Sequence, residues 1–163
     1  VFLVHRLSDF IYKIEKALAV FFCGILLIAL SAGVAFRYFL NSPLSWSDEI
    51  AIFSLVWLTF IGGSMGIKLQ RSAAVTILMD KVQGPMRKTL LFISTIAVFL
   101  FGCYIFALSM KWIMSPNILF QKSNSLQLPM IIPYLSVPVG FFFILIHSLD
   151  LVLKTFQTTE KEA

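Results

Sequence analysis

The chain has 163 residues, 59% of them hydrophobic and 13% charged, with a formal net charge of +5. Soluble domains carry roughly 25% charged residues. The composition therefore excludes an ordinary water-soluble domain, and with it the nucleic-acid partner that a basic soluble chain would invite. No segment between the apolar stretches is long enough to fold separately, so residues 1–163 read as a single membrane domain.

In chain order, residues 5–16 come first. Leu7, Phe10, Ile11 and Ile14 fall at i, i+3, i+4 and i+7, with Ser8, Asp9, Lys13 and Lys16 off that stripe. This is an amphipathic helix, either lying on the membrane surface or extending the first span.

Four runs then carry no Asp, Glu, Lys or Arg: Ala17–Phe36, Ile50–Ile67, Thr89–Met110 and Ser123–Leu149. Roughly 20 helical residues cross a bilayer core. The runs do not alternate polar with apolar, which rules out barrel strands. They predict an all-α membrane protein with four transmembrane helices, at about 17–36, 50–67, 89–110 and 130–150. The first run ends in Gly33-Val34-Ala35, which resembles a signal-peptide cleavage site, but it exceeds the usual apolar core of 7–15 residues and reads as a retained span. Ala29 and Gly33 in span 1, and Gly62 and Gly66 in span 2, are small-x-x-x-small pairs. Such pairs let helix backbones approach closely, within the bundle or against another membrane protein.

The Arg37–Glu49 connection holds Tyr38 and Trp46, which suit the headgroup belt. Ser45 with Asp48 three residues on has the spacing of a capping box for span 2. Between spans 2 and 3, residues 72–83 form a second amphipathic helix, with Val75, Leu78, Met79 and Val82 on one stripe and Gly84-Pro85 ending it. Before span 4, Pro129, Pro133 and Pro138 crowd within ten residues. Ser123–Ile132 should be partly extended, and Pro138 should kink the last helix.

Basic residues set the orientation. Arg6, Lys13, Lys16, Lys68, Arg71, Lys81, Arg87, Lys88, Lys154 and Lys161 share one side, against Arg37, Lys111 and Lys122 on the other. Basic residues stay in the cytoplasm, so both termini are expected there. The basic side should also meet anionic lipid.

Little points to catalysis. The two histidines, His5 and His147, offer no second axial ligand for haem and too few ligands for zinc. Cys23 and Cys103 lie in apolar spans and read as buried, inert thiols. These cysteines and His147 are expected to be dispensable for chemistry. No charge lies in the middle of a span, where ion-coupled carriers place one, and no paired broken helices suggest a midplane site. No cofactor or metal is expected, and the chain should not be an enzyme.

Together, several motifs resemble a known family. They are Arg37-Tyr38 ending span 1, Trp46 with Asp48-Glu49 opening span 2, Val56-Trp57-Leu58-Thr59-Phe60-Ile61-Gly62, and Leu126…Pro129…Tyr134…Pro138-x-Gly140. In order and spacing they are similar to the small membrane subunit of tripartite ATP-independent periplasmic (TRAP) transporters, over nearly the whole chain. One departure is Ser72, where many members carry His. The resemblance implies a non-catalytic subunit of the bacterial or archaeal inner membrane. It would scaffold a large membrane subunit that performs sodium-coupled import of a carboxylate-bearing solute. Arg37, Tyr38, Trp46, Asp48, Glu49, Lys111 and Lys122, exposed on the side opposite the termini, would help receive the periplasmic substrate-binding protein. Two other classes are a four-helix enzyme acting on glutathione or lipid, which needs polar groups converging inside the bundle, and a small multidrug antiporter, which needs an embedded Glu.

Overall fold

The computed structural model describes residues 2–69 and 85–160. Its helices are α1 (Phe2–Phe39), α2 (Ser45–Lys68), α3 (Pro85–Ile113), α4 (Pro116–Leu119), α5 (Ile131–Tyr134) and α6 (Ser136–Glu160). Four stretches are long and apolar enough to cross a membrane: Phe2–Phe39, Ser45–Lys68, Phe92–Ile113 and Ile131–Lys154. The all-α fold with four spanning helices is as the sequence predicts. The amphipathic segment 72–83 and Ser72 lie outside the described residues.

Segment 5–16 is a continuous part of α1. Its polarity runs opposite to a water-facing helix. Leu7, Phe10 and Ile14 point outward, while Ser8 and Glu15 are buried with Ile11. The helix ends at Phe39, where Asn41 takes a left-handed φ of 49° and the Ser42 N–H returns to the Phe36 carbonyl. Asn tolerates that conformation better than most residues, and Pro43 follows.

α2 begins at Ser45, one residue earlier than a capping box needs. Ser45 is already helical, no side chain caps the helix, and the Ser47 hydroxyl donates instead to the Leu44 carbonyl at 2.8 Å. The expected Ser45–Asp48 box is therefore absent.

α1 and α2 pack antiparallel. Phe22 stacks on Trp57 with centroids 5.4 Å apart and an interplanar angle of 7°. Nearer the Arg37 end, Gly33 lies against Ser47, where an added Cβ would fall 2.7 Å from its Oγ. Ala29 is also buried, so the Ala29/Gly33 pair serves packing within the bundle. α2 and α6 run side by side, and Gly140 lets them close: a Cβ there would sit 2.6 Å from the Phe60 Cβ. α3 packs mainly on α6, through Gly102 against Leu145 and Phe106 against Phe142, and its Trp112 meets Tyr134 of α5.

Pro138 does not kink a helix interior. It is the third residue of α6, in the first turn, where a missing N–H costs nothing. The stretch before α5 is partly extended as expected, but Ile131 and Ile132 already belong to α5. Lys122 and Pro129 form an isolated bridge, the Ser123 N–H donates to the Leu128 carbonyl at 2.8 Å, and Gln127 has a φ of 53°.

The bundle is inverted relative to a soluble protein. Val20, Ile28, Leu100 and Tyr104 are more than half exposed, whereas Ser47, Ser54, Ser64, Ser136 and Ser148 are buried. Apolar side chains outside suit lipid, and small serines between helices allow close backbone approach. Several satisfy their hydroxyls locally: Ser136 donates to the Pro133 carbonyl at 2.6 Å and Ser148 to that of Ile144 at 2.7 Å. Cys23 and Cys103 are also on the outside. Both cysteines were expected to be buried, and the correction has a simple cause: inside an apolar span, a hydrophobic side chain gains as much from facing outward as inward.

Candidate functional site

Two polar constellations stand at opposite ends of the bundle. The first, at the end holding the chain termini, joins α1, α2 and α6. Glu15 from α1 and His147 from α6 are both fully buried, and Glu15 Oε2 lies 3.0 Å from His147 Nε2. The other ring nitrogen, Nδ1, lies 2.8 Å from the Ser8 hydroxyl. Lys68, at the last position of α2, donates from Nζ to Ser8 Oγ at 2.6 Å. An ammonium only donates. Ser8 thus accepts from Lys68, its own proton can go to Nδ1, and Nε2–H donates to Glu15. With a neutral imidazole, every link in this chain has one donor and one acceptor.

Lys68 also meets Asp9 at 2.8 Å and Asp150 at 3.2 Å, and Asp150 receives Lys154 at 3.0 Å and His5 at 3.3 Å. Asp150 is fully buried and Lys68 nearly so. The side chains that meet Asp150 come from α1, α2 and α6, so the buried carboxylate ties those helix ends together. In a low-dielectric setting such a network is strong when complete and costly when broken.

The sequence reading contained no convergence of polar groups inside the bundle, and the structure corrects that. Glu15 and Asp150 lie just beyond the ends of the charge-free runs, yet both face inward. The antiparallel register set by Phe22–Trp57 and Gly33–Ser47 also places Ser64 level with Glu15. The Glu15 Oε1, Ser64 Oγ and Asp150 Oδ1 atoms are buried with no hydrogen-bond partner among the described residues. The described His, Cys, Asp and Glu side chains include no group of three that could hold a metal ion.

The second constellation is at the opposite end. Arg37 and Asp48 pair at 3.6 Å, both more than half exposed. Glu49 accepts from the backbone N–H groups of Ser125 at 2.6 Å and Leu126 at 3.0 Å. This carboxylate fastens the loop before span 4 to the start of α2. Tyr38, Trp46, Lys111 and Lys122 are exposed around it. The structure thus brings Arg37 to Asp48 and sets Glu49 under the loop that carries Lys122.

Gly62 and Gly63 are exposed, and neither they nor Gly66 would bring an added Cβ within 4 Å of another part of the described chain. The Gly62/Gly66 face is therefore not spent on packing among the described helices, unlike Ala29/Gly33.

Residues 25–158 match the model of the family described as tripartite ATP-independent periplasmic transporters, DctQ component. The chain belongs to this family. TRAP small permeases are components of transporters, not enzymes, which sets aside the membrane-enzyme reading. Among relatives, the C4-dicarboxylate TRAP transporter small permease protein DctQ of Vibrio cholerae is 30% identical over 51% of this chain and 36% of its own length. A putative TRAP transporter small permease protein of Haemophilus influenzae is 27% identical over 63% of each. The isethionate TRAP transporter permease protein DctMQ of Oleidesulfovibrio alaskensis is 28% identical over 59% of this chain but only 15% of that protein. The chain thus spans less than two thirds of the length of each of these relatives.

Proposed function

We propose that this chain is the non-catalytic small membrane subunit of a TRAP transporter that imports an organic anion bearing a carboxylate, with sodium as the coupling ion. It would bind the large transport subunit as a scaffold and help receive the periplasmic substrate-binding protein in the inner membrane. Family membership over residues 25–158 carries this reading. The much longer DctMQ relative supports a large membrane partner, since there a region similar to this chain is part of a bigger permease protein. The C4-dicarboxylate named for the Vibrio relative supports the solute class.

The chemistry of the chain agrees with a scaffold. Its buried ionisable groups gather at one end and face one another, with none at the bundle midplane among the described residues. The ten-to-three division of basic residues supports cytoplasmic termini. Compartment-sensitive reporters fused to either terminus should read cytoplasmic, and one inserted after Lys122 should read periplasmic. A periplasmic C-terminus would overturn the orientation.

The docking surface would be the end carrying Arg37, Tyr38, Trp46, Asp48, Glu49, Lys111 and Lys122. Arg37, Asp48 and Glu49 make contacts within the chain and shape that surface, while exposed Lys111 and Lys122 supply charge to steer a partner. Charge of this kind raises encounter rates and still permits release. Lys111→Glu with Lys122→Glu should therefore slow uptake at limiting binding-protein concentration, about tenfold or less, and recover as that protein is raised. Unchanged uptake at every concentration would assign docking to the large subunit.

A further inference from the structure

An apolar groove of about 500 Å³ runs between α1 and α2, lined by Leu26 and Leu30 on one side and Ala51, Ile52 and Leu55 on the other, with Asp48 at its end. The lining follows from helical spacing. Asp48, Ala51, Ile52 and Leu55 fall at i, i+3, i+4 and i+7 on α2. On α1, the row through Leu26 and Leu30 continues to Arg37, which meets Asp48 at 3.6 Å. Gly33 against Ser47 brings the two helices together near the Arg37 end. Ile52 and Leu55 are more than half exposed, so the groove opens outward.

We propose that this groove holds one acyl chain of an aminophospholipid, whose phosphate meets Arg37 and whose primary ammonium meets Asp48. This inference needs only a membrane-spanning chain and does not rest on the transporter reading. An apolar channel facing lipid accepts any acyl chain, so selectivity must come from its polar end. Arg37 and Asp48 adjoin the ends of the two charge-free runs, at headgroup level. Their mutual contact is long and exposed, and such pairs contribute little. Both groups are thus available to a ligand of opposite charges. Guanidinium binds phosphate through two parallel N–H donors. A carboxylate accepts hydrogen bonds from a primary ammonium. A choline headgroup has no N–H to donate, and a glycerol headgroup leaves Asp48 facing an anion without a cation. A zwitterionic headgroup with a free ammonium complements both side chains.

The test is native mass spectrometry of the full chain, purified in mild detergent and offered equal amounts of phosphatidylethanolamine, phosphatidylcholine and phosphatidylglycerol. The proposal predicts one retained phosphatidylethanolamine in preference to the other two. Arg37→Gln should lower its retention about tenfold, as expected for loss of a charge-assisted hydrogen bond. Asp48→Asn should abolish the preference over phosphatidylcholine while leaving lipid bound. Ile52→Trp, which fills the groove, should reduce retention of all three. Equal retention of the three lipids by the wild-type chain would overturn the proposal, because it needs no variant to fold. So would no retained lipid, preference for phosphatidylglycerol, or phosphatidylethanolamine binding unaltered by both Arg37→Gln and Ile52→Trp.

Discussion

His147→Ala destabilises the chain by about 3–5 kcal/mol, because it leaves one partner of a buried pair without the other. Glu15 is fully buried and its Oε2 receives its hydrogen bond from His147 Nε2 at 3.0 Å. Its other oxygen has no partner among the described residues, so deletion of the imidazole leaves the whole carboxylate without a side-chain donor there. Glu15→Ala leaves the buried His147 Nε2–H without its acceptor and costs about 1–3 kcal/mol. The double variant Glu15→Leu with His147→Leu recovers most of the loss, since apolar side chains replace both members together. Thermal unfolding in detergent orders the four proteins: wild type and double variant high, each single variant low. If the network only fastens helix ends, as the proposed scaffold role requires, uptake by the assembled transporter survives in the double variant. Single variants that melt with the wild type would show the pair to be unimportant. A stably folded double variant without uptake would give the pair a role in transport itself.

From the sequence His147 is expected to be dispensable for chemistry, and the uptake arm of this experiment tests that expectation. That expectation does not include the structural weight of the residue.

Gly62→Leu with Gly66→Leu has the second largest expected effect, on assembly with the proposed large subunit. Neither glycine is near another part of the described chain, so the bundle by itself should melt close to the wild-type temperature. If the face meets the large subunit, a leucine at each position pushes that helix away at a cost of about 1–3 kcal/mol, or roughly 5- to 150-fold in affinity. Recovery of the complex through a tag on the large subunit reads this directly. Undiminished recovery would mean that the face is turned to lipid. The contrast with Gly33 and Gly140 is useful: those two contact Ser47 and Phe60, so their replacement disturbs the bundle first.

The spans were legible because lipid imposes one rule on every residue inside it. Charge-free runs of 18 to 27 residues located all four helices, although α1 and α6 extend well past their runs. The polar network was hidden by that same criterion. Runs bounded by the first charged residue place Glu15 and Asp150 outside the span, where charges are assumed to meet water. α1 shows why the assumption failed. Leu7, Phe10 and Ile14 form a tidy apolar stripe, but it is the exposed face, and the buried face is Ser8, Ile11 and Glu15. Spacing of i, i+3 and i+7 among those three was a readable signal once the polarity was inverted. Asp48 is read from a local helix rule and Glu49 from a motif at the start of span 2, whereas their partners, Arg37 and the Ser125–Leu126 backbone, come from elsewhere in the fold. No single-helix pattern carries that information. Gly62/Gly66 and Ala29/Gly33 were indistinguishable as motifs, and only the packing shows which pair the bundle uses.

We propose that this chain is the scaffold partner of a larger membrane permease. Co-purification from native membranes in mild detergent tests it most directly, using a tag on this chain and quantifying membrane proteins recovered in fixed proportion. One substantially larger multi-span protein is expected at equal stoichiometry, whose transport of an organic anion fails when this chain is deleted. Recovery of this chain alone or only with copies of itself, with anion uptake unaffected by its deletion, would contradict the account.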